Sequence, residues 1–214
     1  MARFDLVIFD CDGVLVDSEL IANRVFQTML AELGVEVSME YLFEHFLGHS
    51  MTHCLTLVRE LLGHELPADF EPRLRERTAR AFESELQPVA GIVATLSELT
   101  LPCCVASSGP HSKMRVSLGV TGLFERFEGR IFSAHDVGNR GKPAPDVFLF
   151  AAERMGVRPE RAVVIEDSVA GVTAAVAAGM TVFAYATHTP EARLRAAGAH
   201  EIFYDMREVA RLIA

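Results

Sequence analysis

Two aspartates one residue apart close the first apolar run of this 214-residue chain, Phe4-Asp5-Leu6-Val7-Ile8-Phe9-Asp10-Cys11-Asp12-Gly13. Side chains alternate across a strand, so Asp10 and Asp12 project to the same side at its carboxyl end. Like charges that close repel strongly unless a cation or a shared proton neutralises them. Gly13 then lets the backbone turn sharply or come close to a ligand. The pattern suits one divalent metal, one carboxylate nucleophile and one carboxylic acid. Asp-x-Asp-Gly also occurs in turns and calcium loops, but a helix-loop-helix calcium loop needs further oxygen ligands just downstream. Val14, Leu15 and Val16 stand there instead.

Three more elements share this design. Cys103-Cys104-Val105-Ala106-Ser107 runs into Ser108-Gly109-Pro110 and a helix. A hydroxyl followed by free N–H groups at a helix start cradles an anion, and the same serine suits an N-cap. In Arg140-Gly141-Lys142-Pro143-Ala144-Pro145 two prolines stiffen the loop around Lys142, as a cation meeting a phosphoryl group requires. Finally, Ala162-Val163-Val164-Ile165 ends in Glu166-Asp167-Ser168, with Gly171 in the helix that follows. Magnesium favours a few carboxylate oxygens plus water and substrate oxygens, a set that Asp10, the Asp12 carbonyl and Asp167 can supply. Glu166 and Asp167 also fit simple capping of that helix.

The elements that position these residues follow from periodicity. Residues 20–33, 39–47, 51–62 and 69–86 carry apolar side chains at helical spacing, broken by Gly34, Gly48, Gly63 and Pro67. From Gly91 onward, strands at 103–107, 130–133, 162–166, 181–185 and 201–203 alternate with helices near 91–99, 111–118, 145–155, 169–178, 190–197 and 206–213. That alternation predicts an α/β fold, a parallel sheet with helices on both faces. The first strand joins this sheet, and an all-helical insertion interrupts it, with joints near 16–18 and 86–91. In such a sheet ligands bind beyond the carboxyl ends of the strands, where all four elements lie.

At 214 residues the chain is long enough for one domain carrying an insertion, and with 50% hydrophobic and 23% charged residues its composition is that of a globular protein. A net charge of −9 opposes nucleic-acid or anionic-membrane partners, which want basic surface. Cys11, Cys54, Cys103 and Cys104 show neither metal-ligand spacing nor a disulfide framework and read as reduced, buried thiols. The sequence shows no secretory signal and no apolar run near the roughly 20 residues that span a bilayer. The expected compartment is the cytoplasm.

In the order Asp10-x-Asp12, Ser107, Lys142 and Glu166-Asp167, the chain resembles the haloacid-dehalogenase-like hydrolase superfamily. The branch it is most similar to holds β-phosphoglucomutase and small sugar-phosphate phosphatases. The resemblance implies a Rossmann-like core at 1–15 and 88–214 and a four-helix cap at 16–87. It also implies a magnesium-dependent phosphatase acting on a small phosphorylated metabolite, a sugar or sugar-acid phosphate such as 6-phosphogluconate. Asp10 would attack phosphorus to form an aspartyl-phosphate, and Asp12 would protonate the leaving alcohol and then activate water. Ser107 would bind a phosphoryl oxygen, and Lys142 would stabilise charge on that group and on Asp10. Magnesium would be held by Asp10, the Asp12 carbonyl and Asp167, with Glu166 at the metal directly or through water. Ser108, Gly109, His49, Ser50 and His111 are the expected substrate contacts, and Lys113 stands near them. The expected assembly is a monomer or weak homodimer.

Asp12 disfavours dehalogenation, because a halide leaving group needs no acid. The mutase branch carries a histidine shortly after the first motif and an arginine in the cap loop. This chain reads Glu19-Leu20-Ile21-Ala22-Asn23 and Gly48-His49-Ser50-Met51 there, which favours hydrolysis over transfer. A phospho-acceptor receiver domain would lack the insertion and the second aspartate, and a silent binding protein would be expected to have lost one of Asp10, Asp12, Lys142 and Asp167. His49 and His53 have helical spacing for zinc but no third ligand nearby. Arg73, Arg77 and Arg80 lie at helical spacing among acids, which predicts an ion-paired surface.

Overall fold

The strand ends that carry the acidic pairs belong to one sheet. In the computed structural model, which describes residues 3–46 and 51–213, it comprises β1 (Leu6–Phe9), β2 (Cys103–Ser107), β3 (Ile131–Ser133), β4 (Ala162–Glu166), β5 (Thr181–Tyr185) and β6 (Glu201–Phe203). All pairings are parallel, in the order β3-β2-β1-β4-β5-β6. Central β1 sets Ile8 beside Cys104 on one flank and Val164 on the other. Every residue of β1, β2 and β4 is buried. Burial on both faces explains why these strands are continuous apolar runs rather than alternating ones.

Two compact units divide the chain, one from Ser18 to Leu86 and the other made of the residues up to Asp17 and from Gln87 onward. The first holds α1 (Glu19–Glu32), α2 (Met39–His45), α3 (Met51–Leu62) and α4 (Phe70–Glu85). Its core takes Phe26, Met29 and Leu30 from one face of α1 and packs them with Leu42, Val58 and Leu74. The Phe26 ring stands edge-on to Phe46 and Phe70, with centroids 5.2 and 6.0 Å away. Gly34, at φ +82°, ends α1 with its N–H on the Ala31 carbonyl. Ser18 precedes α1 without a side-chain capping bond, whereas Ser38 caps α2 by accepting from the Tyr41 N–H. Arg73 and Arg77 both pair with Glu32, and Arg80 pairs with Glu76, so the arginine row is an ion-paired surface.

The second unit keeps Val16 and Asp17. Val16 bridges to Asp12 and Pro88, and the Asp17 N–H donates to the Gln87 carbonyl at 3.0 Å. These bonds set the division at 17/18 and 86/87. The unit's helices are α5 (Ile92–Glu98), α6 (His111–Val120), α7 (Phe124–Phe127), α8 (Asp146–Arg154), α9 (Val169–Ala177), α10 (Glu191–Ala196) and α11 (Val209–Ile213). Four-residue α7 is too short to leave a periodic signal and was not expected. It holds Phe127 edge-on to Phe9 at 6.3 Å. From α8, Val147, Phe148, Ala151 and Ala152 join the buried cluster of the sheet.

From β1 the chain lays β2 and β3 on one side and β4, β5 and β6 on the other. The reversal falls between β1 and β4, and ligands bind in the crevice at such a switch point. Among the described residues no helix is long and apolar enough to cross a membrane.

Candidate active site

Asp10 is the first residue past β1, and its N–H donates to the Ile165 carbonyl at 3.0 Å, so β1 and β4 end side by side. A tight turn follows: the Leu15 and Val16 N–H groups share the Cys11 carbonyl, and the Gly13 N–H reaches the Val16 carbonyl at 2.9 Å. Gly13 lies at φ +76°, and a Cβ there would sit 2.2 Å from Asp167 Oδ2. Its missing side chain is the space that the Asp167 carboxylate occupies.

Lys142 lies between two buried acids. Its Nζ donates to Asp10 Oδ1 and Glu166 Oε1, each at 2.5 Å, and its side chain is 6% exposed. The ammonium also sits over the Phe148 ring, 4.8 Å from the centroid, a favourable cation–π position. The Lys142 N–H donates to Ser108 Oγ at 3.1 Å, tying this loop to the end of β2. Glu166 is fully buried, and its Oε2 accepts from the Asp167 and Ser168 N–H groups and from Ser168 Oγ. Both Glu166 oxygens thus have protein partners. Gly171 leaves room for them, because a Cβ there would lie 1.8 Å from Oε1.

Burial pushes the Asp10 carboxyl up to about 7. Lys142 opposes that rise, while the Glu166 and Asp12 charges add to it. Burial works against the Lys142 charge too, but Asp10 and Glu166 outweigh it and hold the ammonium above the ordinary lysine range. Oxygens of Asp10, Glu166 and Asp167 lie within 4.8 Å of one another, all on buried residues. An all-oxygen, carboxylate-rich set suits a hard divalent cation such as magnesium and lacks the nitrogen or sulfur that zinc favours. Lys142 pairs with Asp10 and Glu166, and Lys113 pairs with Asp12. The residues present therefore fit the metal.

At the end of β2, buried Ser107 accepts from the Gly109 N–H at 3.0 Å, and the Gly109 carbonyl accepts from Ser133 Oγ at 2.7 Å. These bonds fix the loop leading to α6. Ser108 is exposed apart from its bond to Lys142. His111 is half-exposed and paired with Asp136 at 2.9 Å, and both line a cavity of about 470 Å³ with Arg115, Phe132 and Arg154. Lys113, which the sequence left between a solvated helix face and a distal substrate contact, has its Nζ 2.7 Å from Asp12 Oδ2. The signal was available: Lys113 is the third residue of α6, which starts just beyond the end of β2, the neighbour of β1. His49 and Ser50, and with His49 the His49–His53 pairing, lie outside the described residues.

A family model described as haloacid dehalogenase-like hydrolase matches residues 4–179. The 6-phosphogluconate phosphatase of Escherichia coli (strain K12) is 39% identical over 184 residues, covering 86% of this chain and 83% of that protein. A haloacid dehalogenase-like protein of unknown function from Agrobacterium tumefaciens C58 superposes with a TM-score of 0.91. It is 39% identical, with 98% of this chain and 97% of that one covered. A HAD family hydrolase from Deinococcus radiodurans R1, solved with phosphate and sodium bound, gives a TM-score of 0.86. There the identity is 34%, and the coverage is 99% and 96%.

Proposed function

This chain belongs to the haloacid dehalogenase-like hydrolase family, and on that footing we propose that it hydrolyses a small phosphate monoester with magnesium bound. The proposed substrate class is a phosphorylated sugar or sugar acid such as 6-phosphogluconate. The observation that carries the reading is the Lys142 ammonium held between Asp10 and Glu166 at the β1/β4 switch point, beside Asp167. A relative that is a 6-phosphogluconate phosphatase supports the substrate class.

Asp10, Asp167 and the Asp12 carbonyl would hold the metal, which when bound offsets repulsion between the nucleophile and the anionic phosphoryl group. Asp10 contributes the oxygen that attacks phosphorus, and the P–O bond to the sugar breaks. Asp12 gives its proton to the departing oxygen, then takes one from the water that cleaves the aspartyl-phosphate. Ser107 and the N–H groups at the start of α6 bind phosphoryl oxygens, and Lys142 steadies charge on Asp10 and the transferred group. Glu166 acts by orienting: Oε1 holds Lys142, and Oε2 holds the Asp167 backbone. The buried free thiols support a reducing compartment, the cytoplasm.

The test is capture of the intermediate. Acid quench during turnover of 6-phosphogluconate should give a hydroxylamine-labile phosphoryl group, mapped by mass spectrometry to Asp10. Turnover with no labelled carboxylate, or a label on histidine or serine, would refute the assignment.

A further inference from the structure

The two aspartates of the first motif each have their own ammonium group. Lys142 serves Asp10, and Lys113 serves Asp12, donating to Oδ2 at 2.7 Å. The second pair joins the turn after β1 to the first turn of α6, 101 residues apart in sequence. It is partly covered, with Lys113 40% and Asp12 19% exposed at the side chain. The backbone on both sides is fixed. The Lys113 N–H donates to the Pro110 carbonyl at 3.0 Å, and the Lys113 carbonyl accepts from Ser117 Oγ at 3.0 Å. The stem of Lys113 passes over Gly109, where a Cβ would lie 3.5 Å from Lys113 Cδ and 3.4 Å from Ser107 Oγ. One loop thus places the phosphate-binding hydroxyl and the lysine on adjacent tracks.

A general acid must be held in place to face the leaving oxygen. We propose that Lys113 is a positioning residue for Asp12. Its ammonium holds Oδ2 and so fixes where the Asp12 carboxyl group stands. The inference rests on the hydrolase reading above. In the first half-reaction a bond forms from Asp10 to phosphorus, and the bond from phosphorus to the sugar oxygen breaks. The Asp12 carboxyl proton moves to that oxygen. In the second, a water oxygen bonds to phosphorus, the bond from phosphorus to Asp10 breaks, and one water proton returns to the Asp12 carboxylate. Lys113 keeps all three of its protons throughout.

Leaving-group dependence tests this. A sugar alkoxide needs the proton, while p-nitrophenolate departs without it, and kcat/KM reports steps only through the first irreversible one. The magnesium-loaded enzyme is assayed on 6-phosphogluconate, glucose 6-phosphate and p-nitrophenyl phosphate. Lys113→Met should lose on the order of 100-fold in kcat/KM on both sugar esters, within the general-acid range, and less than about threefold on the aryl ester. Lys113→Arg should recover most of the loss and covers the case of a poorly folded methionine variant. Equal losses on all three esters would mean a structural role, and a loss confined to 6-phosphogluconate would mean a contact to its carboxylate. Either overturns the inference and leaves the hydrolase reading standing. A wild-type enzyme inactive on all three esters overturns both.

Discussion

Gly171 lies so close beneath Glu166 that a Cβ on it would stand 1.8 Å from Oε1 and 1.9 Å from Cδ. In an ordinary helix, alanine in place of glycine stabilises by about 1 kcal/mol. Here the sign reverses, because Glu166 is anchored by four donors and has nowhere to go. Gly171→Ala should cost about 1–3 kcal/mol, typical of overpacking. Phosphatase activity should fall about 100-fold or more as Lys142 and Asp167 shift. Urea denaturation beside a phosphate-release assay reads both, and a stabilised, active Gly171→Ala would show that the contact yields.

Gly13 plays the matching part for Asp167. Alanine at φ +76° carries a left-handed strain of about 1–2 kcal/mol, and its Cβ collides with the Asp167 carboxylate. Gly13→Ala should therefore raise the magnesium concentration for half-maximal activity by about 10–100-fold, as losing a ligand's support does. A magnesium titration at saturating substrate checks it, and an unchanged midpoint would remove Asp167 from the proposed metal set.

Lys142 couples stability to chemistry. Lys142→Met leaves Asp10 and Glu166 facing each other without their cation, in a site where Glu166 is fully buried. Breaking a buried pair on one side costs about 3–5 kcal/mol. The metal-free variant should lose that much in urea, together with nearly all activity. Stability equal to wild type would mean that the pair contributes little.

Much of this was legible in the sequence because the informative signals were local. β2, β4, β5 and β6 lie at the expected residues, since fully buried parallel strands read as short apolar runs between breakers. The acids at the ends of β1 and β4 were visible as types in order. What stayed hidden depends on long-range placement. Lys113 had two plausible roles on its helix, and neither was contact with Asp12. The two-sided grip on Glu166 needs a lysine 24 positions away and three donors of its own loop. Short α7 left no period to read, and its place comes from packing Phe127 against Phe9.

The thiols give a prediction in alkali. Burial is the leading cause that pushes Cys54 up to about 11 from an ordinary 9.0, and it raises Cys11, Cys103 and Cys104 as well. A raised folded value means stability that is whole below pH 9 and falls as pH climbs through 11, because the unfolded thiols ionise first. At pH 8 the native protein should react slowly with a thiol-specific disulfide reagent, and the unfolded protein should titrate all four cysteines quickly. Four fast thiols in the native state would contradict the burial.

The proposed enzyme is a metal-dependent phosphatase with Asp10 as nucleophile. Its most direct test is phosphate release from a panel of monoesters, with magnesium and with chelator, run beside Asp10→Asn. The panel should hold 6-phosphogluconate, hexose and pentose phosphates, glycerol phosphate, phosphoglycolate, nucleotides and β-glucose 1-phosphate. Release should need magnesium, favour a sugar or sugar-acid phosphate, and vanish in Asp10→Asn. A folded, magnesium-loaded wild-type protein that releases phosphate from none of them would contradict it, as would an Asp10→Asn variant that retained activity.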